Sequence, residues 1–501
     1  MKKSLLLLAL AAGCAYSAAV PDSIYTDHMV LQRGVPVTVA GTADTEEPVV
    51  VEFAGQAATA VPRCGRWQVQ LQPMPACAQG KQLAITQGQD TCTLQDVVVG
   101  EVWMASGQSN MEFHLRQETD GKQAIAAADD PGLRIFYAAS TVPTPRGAYN
   151  DAQRALLRAG AMYRGSWQPA TPESVPEVSA VGYYFARELR AWLGPDVPVG
   201  LVGIANGGSE MAAWLPQDSL QRLCPESLQD DWLNCRLVMG WARLRGGENM
   251  NGDPEGLHPY RPGFLFRTGT AKWLDFPLAG VIWYQGETDA ESPDMAQHTQ
   301  VMTELVTSWQ RAFRHPGMPF LMVQLPHIAA ERKASEYWPE FRAVQQQVAD
   351  SVPGAAAVVT LDLGTENQDV HPPRKMEVGR RLARTALGRV YGLPAPWQNP
   401  RITAAVRQGA ALRLSLLHAE GLHTTDGKPP VGFELAGEDG TYHPAQAEIR
   451  GQEIILTSPA VPQPCKARYG WAIFILPNVV NRDTLPLAPL AEMQMHTSPK
   501  E

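Results

Sequence analysis

A serine hydroxyl attacks an ester only when a neighbouring base takes its proton and hydrogen-bond donors receive the oxyanion that forms. Residues of those types recur in this chain at four places. The first is the run Val99-Gly100-Glu101-Val102-Trp103-Met104-Ala105-Ser106-Gly107-Gln108-Ser109-Asn110-Met111-Glu112, in which an apolar strand delivers Ser109 onto a turn of small residues. The second, Val202-Gly203-Ile204-Ala205-Asn206-Gly207-Gly208-Ser209, ends an apolar run in glycines, which let a backbone N–H come close to developing negative charge. The third sets Gln285, Glu287 and Asp289 directly after the apolar run from Gly280 to Tyr284, where polar residues line sites in α/β proteins. The fourth is a loop from Asp362 to Pro373 carrying Asp369 and His371, a carboxylate able to hold the tautomer of a base. Ser109 is thus the candidate nucleophile and His371 the candidate base. An α/β-hydrolase elbow needs glycine two residues after its serine; Met111 stands there, which disfavours that family.

The elements that must position these residues follow from hydrophobic period. Between about residues 20 and 97, apolar residues alternate in Val35/Val37/Val39, Val49/Val51/Phe53, Trp67/Val69/Leu71 and Leu83/Ile85, the pattern of half-buried antiparallel strands. From 98 to 395 apolar strands alternate with amphipathic helices, the signature of a parallel sheet covered on both faces. Strands are predicted at Val98–Met104, Val197–Ile204, Ala279–Tyr284, Phe320–Leu325 and Ala356–Leu361, with helices over Thr299–Phe313 and Met376–Val390. After Pro394-Ala395-Pro396 the period returns to two in Leu412/Leu414/Leu416, Val431/Phe433/Leu435 and Ile473/Ile475, predicting a second β-region over 396–501.

Composition bounds the partners. A chain of 501 residues with 45% hydrophobic and 19% charged residues is globular and long enough for two or three domains. A net charge of −9, with no cluster of Lys or Arg, argues against a nucleic-acid partner. Met1-Lys2-Lys3 and the short apolar run after it form an export signal over residues 1–19, too short to span a bilayer, with cleavage expected before Val20. A lipoprotein reading, with Cys14 lipidated, fits less well because Ala11 suits that motif poorly. Export permits disulfides among Cys64, Cys77, Cys92, Cys224, Cys235 and Cys465, of which Cys224 and Cys235 would close a short loop. No CxxC or Cys/His zinc spacing occurs, and no internal repeat.

The blocks GEVWMASGQSN, NGGS, GVIWYQGETDA and DVHP followed by VGRRLA resemble the SGNH hydrolases, most closely the bacterial sialate O-acetylesterases. The likeness extends to DHMVLQRGVPVTVAG, FRAVQQQVAD, ARYGWA and NVVNRDTLPLAP, and so covers most of the chain. It implies an α/β protein with a three-layer flavodoxin-like catalytic domain (98–395), flanked by antiparallel β-regions at 20–97 and 396–501. It further implies hydrolysis of acetyl esters on sugars, without metal or cofactor, on an O-acetylated sugar or sialoglycan. Carried onto this chain it makes Ser109 the nucleophile, His371 the base, and the Ser109 and Gly208 N–H groups with the Gln285 side chain the oxyanion donors. The acid expected three residues before the histidine is Gln368, so Asp369, two before, takes that place, with Asp362 as a substitute and a backbone carbonyl as another. Two other readings remain open: the same machinery on acetylxylan or another acetylated glycan, and a non-catalytic carbohydrate-binding protein.

Overall fold

The computed structural model describes residues 19–229, 231–253 and 255–495. The expected leader and Cys14 lie outside the described residues apart from Ala19, which opens a short strand paired with Ala43. The parallel region is built from β1 (Asp90–Gly107), β2 (Asp130–Tyr137), β3 (Trp167–Ala170), β4 (Val199–Ala205), β5 (Gly280–Tyr284), β6 (Phe320–Val323) and β7 (Ala355–Val358). They lie in the order β3-β2-β4-β1-β5-β6-β7, parallel throughout except for the antiparallel edge strand β3. Five of these strands overlap the predicted ones. The edge pair β2 and β3 was not foreseen, because Asp130-Pro131-Gly132 at the start of β2 reads as a turn.

Five helices matter for the site: α1 (Ala180–Leu193), α2 (Gly240–Met250), α3 (Met295–Ala312), α4 (Trp338–Ser351) and α5 (Met376–Arg389). Successive strand residues point to opposite faces, and the core divides accordingly. Val102, Met104, Val202, Ile204, Val281 and Trp283 share one apolar cluster with Val301, Leu305 and Trp309 of α3 and Phe341 and Val348 of α4. Trp103, Ala105, Leu201, Ile282 and Tyr284 share another with Val181 and Phe185 of α1 and Leu382 and Ala386 of α5. Each large side chain so buried contributes about 1.5–3 kcal/mol. Helix α1 starts at an N-cap, Ser179, whose side chain accepts from the Gly182 N–H, and ends at Gly194.

The antiparallel pairs expected before residue 97 are present, and β1 runs unbroken through residues 97 and 98. Its first half pairs antiparallel with Cys77–Gln87 and its last seven residues with β4. Val98 to Gly107 are buried throughout, so nothing in the side chains obliges the ladder to stop between the two regions. Beyond Pro396, Arg401–Gln408, Ala411–Leu417, Glu453–Thr457 and Gln446–Arg450 form one four-stranded sheet. Tyr442–Pro444, Phe433–Ala436, Lys466–Tyr469 and Leu490–Gln494 form a second. Leu412, Leu414, Phe433 and Leu435 meet in their common core. Ile473 and Ile475, expected in a strand, lie in irregular backbone instead, and the Ile473 carbonyl accepts from the Ile328 N–H and the Arg342 guanidinium.

Cys224 and Cys235 face each other in the core with their sulfurs 3.2 Å apart, and burial pushes both thiols up. Refolding in a glutathione redox buffer should join them as a disulfide and add about 3 kcal/mol to stability. Peptide mass mapping and melting with and without reductant check this; two free thiols and an unchanged melting temperature after oxidation would refute it.

Candidate active site

The three central strands end flush. Gly107 of β1 is in register with Ala205 of β4 and with Tyr284 of β5, so the chain leaves the sheet three times at one level. The segments that follow, Gln108-Ser109, Asn206-Gly207-Gly208 and Gln285-Gly286-Glu287, therefore cluster at the carboxyl edge, where open α/β sheets bind ligands. Gly107 makes the close approach possible. Its φ is +138° and a Cβ there would collide with the Tyr284 carbonyl. The Gln108 N–H donates to that same carbonyl at 3.0 Å, and Ser109 opens a single helical turn, Ser109–Glu112.

Opposite stands the loop between β7 and α5. His371 Nε2 lies 2.9 Å from Ser109 Oγ, and His371 Nδ1 lies 2.9 Å from Asp369 Oδ1. The carboxylate accepts from Nδ1–H, which leaves Nε2 as the acceptor of the serine proton. Asp369 also accepts from the His371 backbone N–H at 3.0 Å. The loop is braced from within: Thr365 Oγ1 donates to the Asp369 carbonyl, and the Asp369 N–H donates to Asn367 Oδ1. Asp362, the substitute acid, is engaged elsewhere, in a two-pronged pair with Arg381 at 2.7 Å on each oxygen.

Ser109, Gly208 and His371 line one cavity of about 360 Å³ with Gln108, Thr144, Trp241, Tyr260, Thr288 and Arg332. Gly208 has φ +73°, and a Cβ would run into the Trp241 ring and the Tyr260 hydroxyl. The neighbouring Gly207 N–H is spent on Glu112 Oε2 at 2.7 Å, and burial pushes the Glu112 carboxyl up against the pull of that bond. Gln285 does not reach the cavity. It is fully buried, and its Nε2 donates to the Ser209 carbonyl at 3.2 Å and to the Asp289 carboxylate. The oxyanion role expected of the Gln285 side chain is thus corrected, because the two hydrogens it would offer point beneath the loop. Asp289 also accepts from the Met211 N–H, and its carboxyl is raised by burial.

The sequence matches the profile of the family described as carbohydrate esterase, sialic acid-specific acetylesterase, over residues 99–230 and 245–388, together more than half of the chain. The chain belongs to this family. A carbohydrate acetylesterase of Xanthomonas citri is 31% identical in sequence and superposes with a TM-score of 0.78, covering 95% of this chain and 100% of that one. The sialate O-acetylesterase of Mus musculus is 26% identical over 365 residues, 65% of this chain and 63% of the mouse protein. That of Homo sapiens is 25% identical over 327 residues, 60% of this chain and 55% of its own. The chain therefore aligns with less than two thirds of the length of these curated relatives.

Several residues that line this cavity or brace its walls escaped the sequence reading. Asn110 and Glu112 stand within the first block and Lys375 four residues after His371, so proximity to the candidates was the available signal. Trp241, Tyr260 and Arg332 come from segments without periodicity or motif. Asp369 has 60% of its side chain exposed, against 34% for His371, and water weakens what its charge does for the imidazolium. Asp369→Asn should therefore lower kcat by about 10²-fold and His371→Ala by about 10⁴-fold or more. Steady-state hydrolysis of p-nitrophenyl acetate measures both; an Asp369→Asn variant at wild-type rate would show that the acid lies elsewhere, and a larger loss than that of His371→Ala would show that its exposure does not weaken it.

Proposed function

We propose that the protein is a serine esterase that removes O-acetyl groups from sugars, with O-acetylated sialic acids as its substrate class. The observation that carries the reading is the hydrogen-bonded series Ser109, His371, Asp369, with 2.9 Å at each link, opening on a cavity large enough for a sugar. The family described as sialic acid-specific acetylesterase agrees with it. The fold reading that accompanies it is the three-layer SGNH type, supported by the division of the core into two clusters by alternate strand residues.

The chemistry is a two-step acyl transfer. His371 Nε2 takes the Ser109 proton as Oγ bonds to the acetyl carbon, and the carbonyl oxygen becomes the oxyanion. The Ser109 and Gly208 N–H groups are the proposed donors to it, each contributing about 3–4 kcal/mol to the transition state. The bond to the sugar oxygen then breaks as His371 returns the proton to that oxygen, leaving acetyl-Ser109. Water, deprotonated by His371, attacks the acetyl carbon; Oγ departs with the proton, and acetate is released.

We infer sialic acid over acetylxylan from Arg332, which shares the cavity wall with Glu291 and whose Nε donates to Ser335 Oγ at 3.1 Å. A guanidinium pairs with the carboxylate of a sialic acid, and a neutral xylan offers no such partner. Trp241, 40% exposed and packed on Tyr260, adds an apolar wall against which a sugar ring can lie.

Ser109→Ala should fold normally and lose p-nitrophenyl acetate hydrolysis. Near-normal turnover by that folded variant would overturn the serine mechanism, whereas no turnover of any acetyl ester by the wild-type protein would favour the non-catalytic carbohydrate-binding alternative. Arg332→Met should raise KM for O-acetylated sialic acid about tenfold while leaving p-nitrophenyl acetate unaffected, the loss of one charge-assisted pair. Acetate release from O-acetylated mucin sialic acids compared with acetylated xylan tests the substrate class; faster release from xylan would reverse the assignment.

A further inference from the structure

Behind the serine and the histidine lies a buried polar group of three that the acyl transfer does not use. Asn110, the residue after Ser109, is fully buried. Its Nδ2 donates to the Val370 carbonyl at 2.8 Å and to the Glu287 carboxyl, and its Oδ1 accepts from Lys375 Nζ. Val370 sits between Asp369 and His371, so this amide bonds the backbone of the catalytic loop itself. The orientation of the carboxamide is dictated by its neighbours. A backbone carbonyl can only accept and a lysine amine here donates, so a flipped amide would lose both bonds.

Lys375 is equally unusual. It is fully buried, its ammonium lies 5.1 and 5.2 Å from the ring centres of Phe113 and Tyr284, and burial lowers its pKa to about 7 despite the Glu287 charge. Glu287 Oε2 is buried without a hydrogen bond, and burial raises that carboxyl. Polar groups are placed so deep at a cost, and Lys375 and Glu287 both converge on the Asn110 carboxamide.

We propose that Asn110 is a positioning residue for the ester hydrolysis: its carboxamide, oriented by Lys375 and Glu287, clamps the Val370 carbonyl and so holds His371 within reach of Ser109. Asn110 touches neither substrate nor reacting atoms in this role. The serine thus carries on its own turn a tether for its base, in addition to the Thr119–Pro373 and Glu118–Lys375 bonds that hold the far side of the loop. The inference rests on the serine-esterase reading given above.

The test compares Asn110→Ala and Lys375→Met with the wild-type protein. Asn110→Ala should lower kcat for p-nitrophenyl acetate by about 10²-fold, the scale of an ångström-size misplacement, with KM within about twofold. Lys375→Met, which frees Asn110 Oδ1 but keeps an apolar stem between the two rings, should lower kcat by about tenfold, in the same direction through a weaker tether. The downfield proton resonance of the His371 imidazole, assigned by its absence in His371→Ala, should shift or broaden in both. A kcat within about twofold of wild type in folded Asn110→Ala would overturn the proposal. So would a fall in kcat with the histidine resonance unmoved, or a shifted resonance with kcat retained. If Asn110→Ala does not fold, the same readings on Lys375→Met decide. Activity surviving in Ser109→Ala and His371→Ala would instead defeat the serine mechanism, a result that is read on those two variants and not on Asn110→Ala or Lys375→Met.

Discussion

A contact of 2.9 Å between Ser109 and His371, residues 262 positions apart in the chain, is the requirement around which the rest is arranged. The two partners reach it by different physics. Ser109 follows a strand whose ladder fixes Gly107 against two neighbours. His371 sits in irregular backbone, where each ordered residue loses about 1–2 kcal/mol of conformational freedom with no ladder to offset it. Side chains replace the ladder. Thr365 and Asn367 brace the loop from within, and the Ala329 N–H holds the Asn367 carbonyl. On the far side the Thr119 N–H donates to the Pro373 carbonyl and the Lys375 N–H to Glu118.

The same requirement explains where the molecule breaks ordinary burial rules. Glu112, Glu210, Glu287 and Asp289 all lie at or below the carboxyl edge of the sheet, and burial raises every one of their carboxyl groups. Glu112 holds the Gly207 N–H, Glu210 the Met239 N–H and Asp289 the Met211 N–H. These three carboxyls supply hydrogen-bond acceptors to backbone outside the sheet ladder, the need that every buried N–H must meet, while Glu287 accepts from the Asn110 side chain. Glu210 shapes the approach to α2, which carries Trp241 to the cavity. Local rules are violated where function demands it.

This pattern also marks what could be read from the sequence. Five of the six parallel strands were legible because a strand buried on both faces is a near-continuous apolar run, as in Val98 to Ala105. Ser109 and His371, the candidate nucleophile and base, could be picked out because strand ends and the loop after β7 carry chemistry-bearing residues in blocks, and the structure brings the two within hydrogen-bond reach. Gln285 was misplaced for a physical reason: type and position along the chain do not say whether a strand-end side chain turns into the cavity or beneath the loop. Here the Ser209 carbonyl and the Asp289 carboxylate claim it. Thr144, Tyr260 and Arg332 reach the cavity from separate loops, whose meeting depends on tertiary packing and leaves no period in the sequence.

Support for the histidine loop extends into the carboxyl-terminal β-region through one fully buried guanidinium. Arg342 of α4 donates to the carbonyls of Leu325, Pro326, Gly470, Ala472 and Ile473, and burial lowers its pKa to about 9. A buried cation is costly unless its hydrogens are satisfied; five carbonyls do that with charge-assisted bonds. Ile473 in turn accepts from the Ile328 N–H, and the next residue, Ala329, holds Asn367 at the base of the catalytic loop. The irregular backbone at 470–473 is irregular for a reason: a strand would commit its carbonyls to a ladder, whereas here they must converge on one side chain. The carboxyl-terminal sheets thereby brace the segment from which the histidine loop hangs, and their attachment to the catalytic region is part of the site's construction.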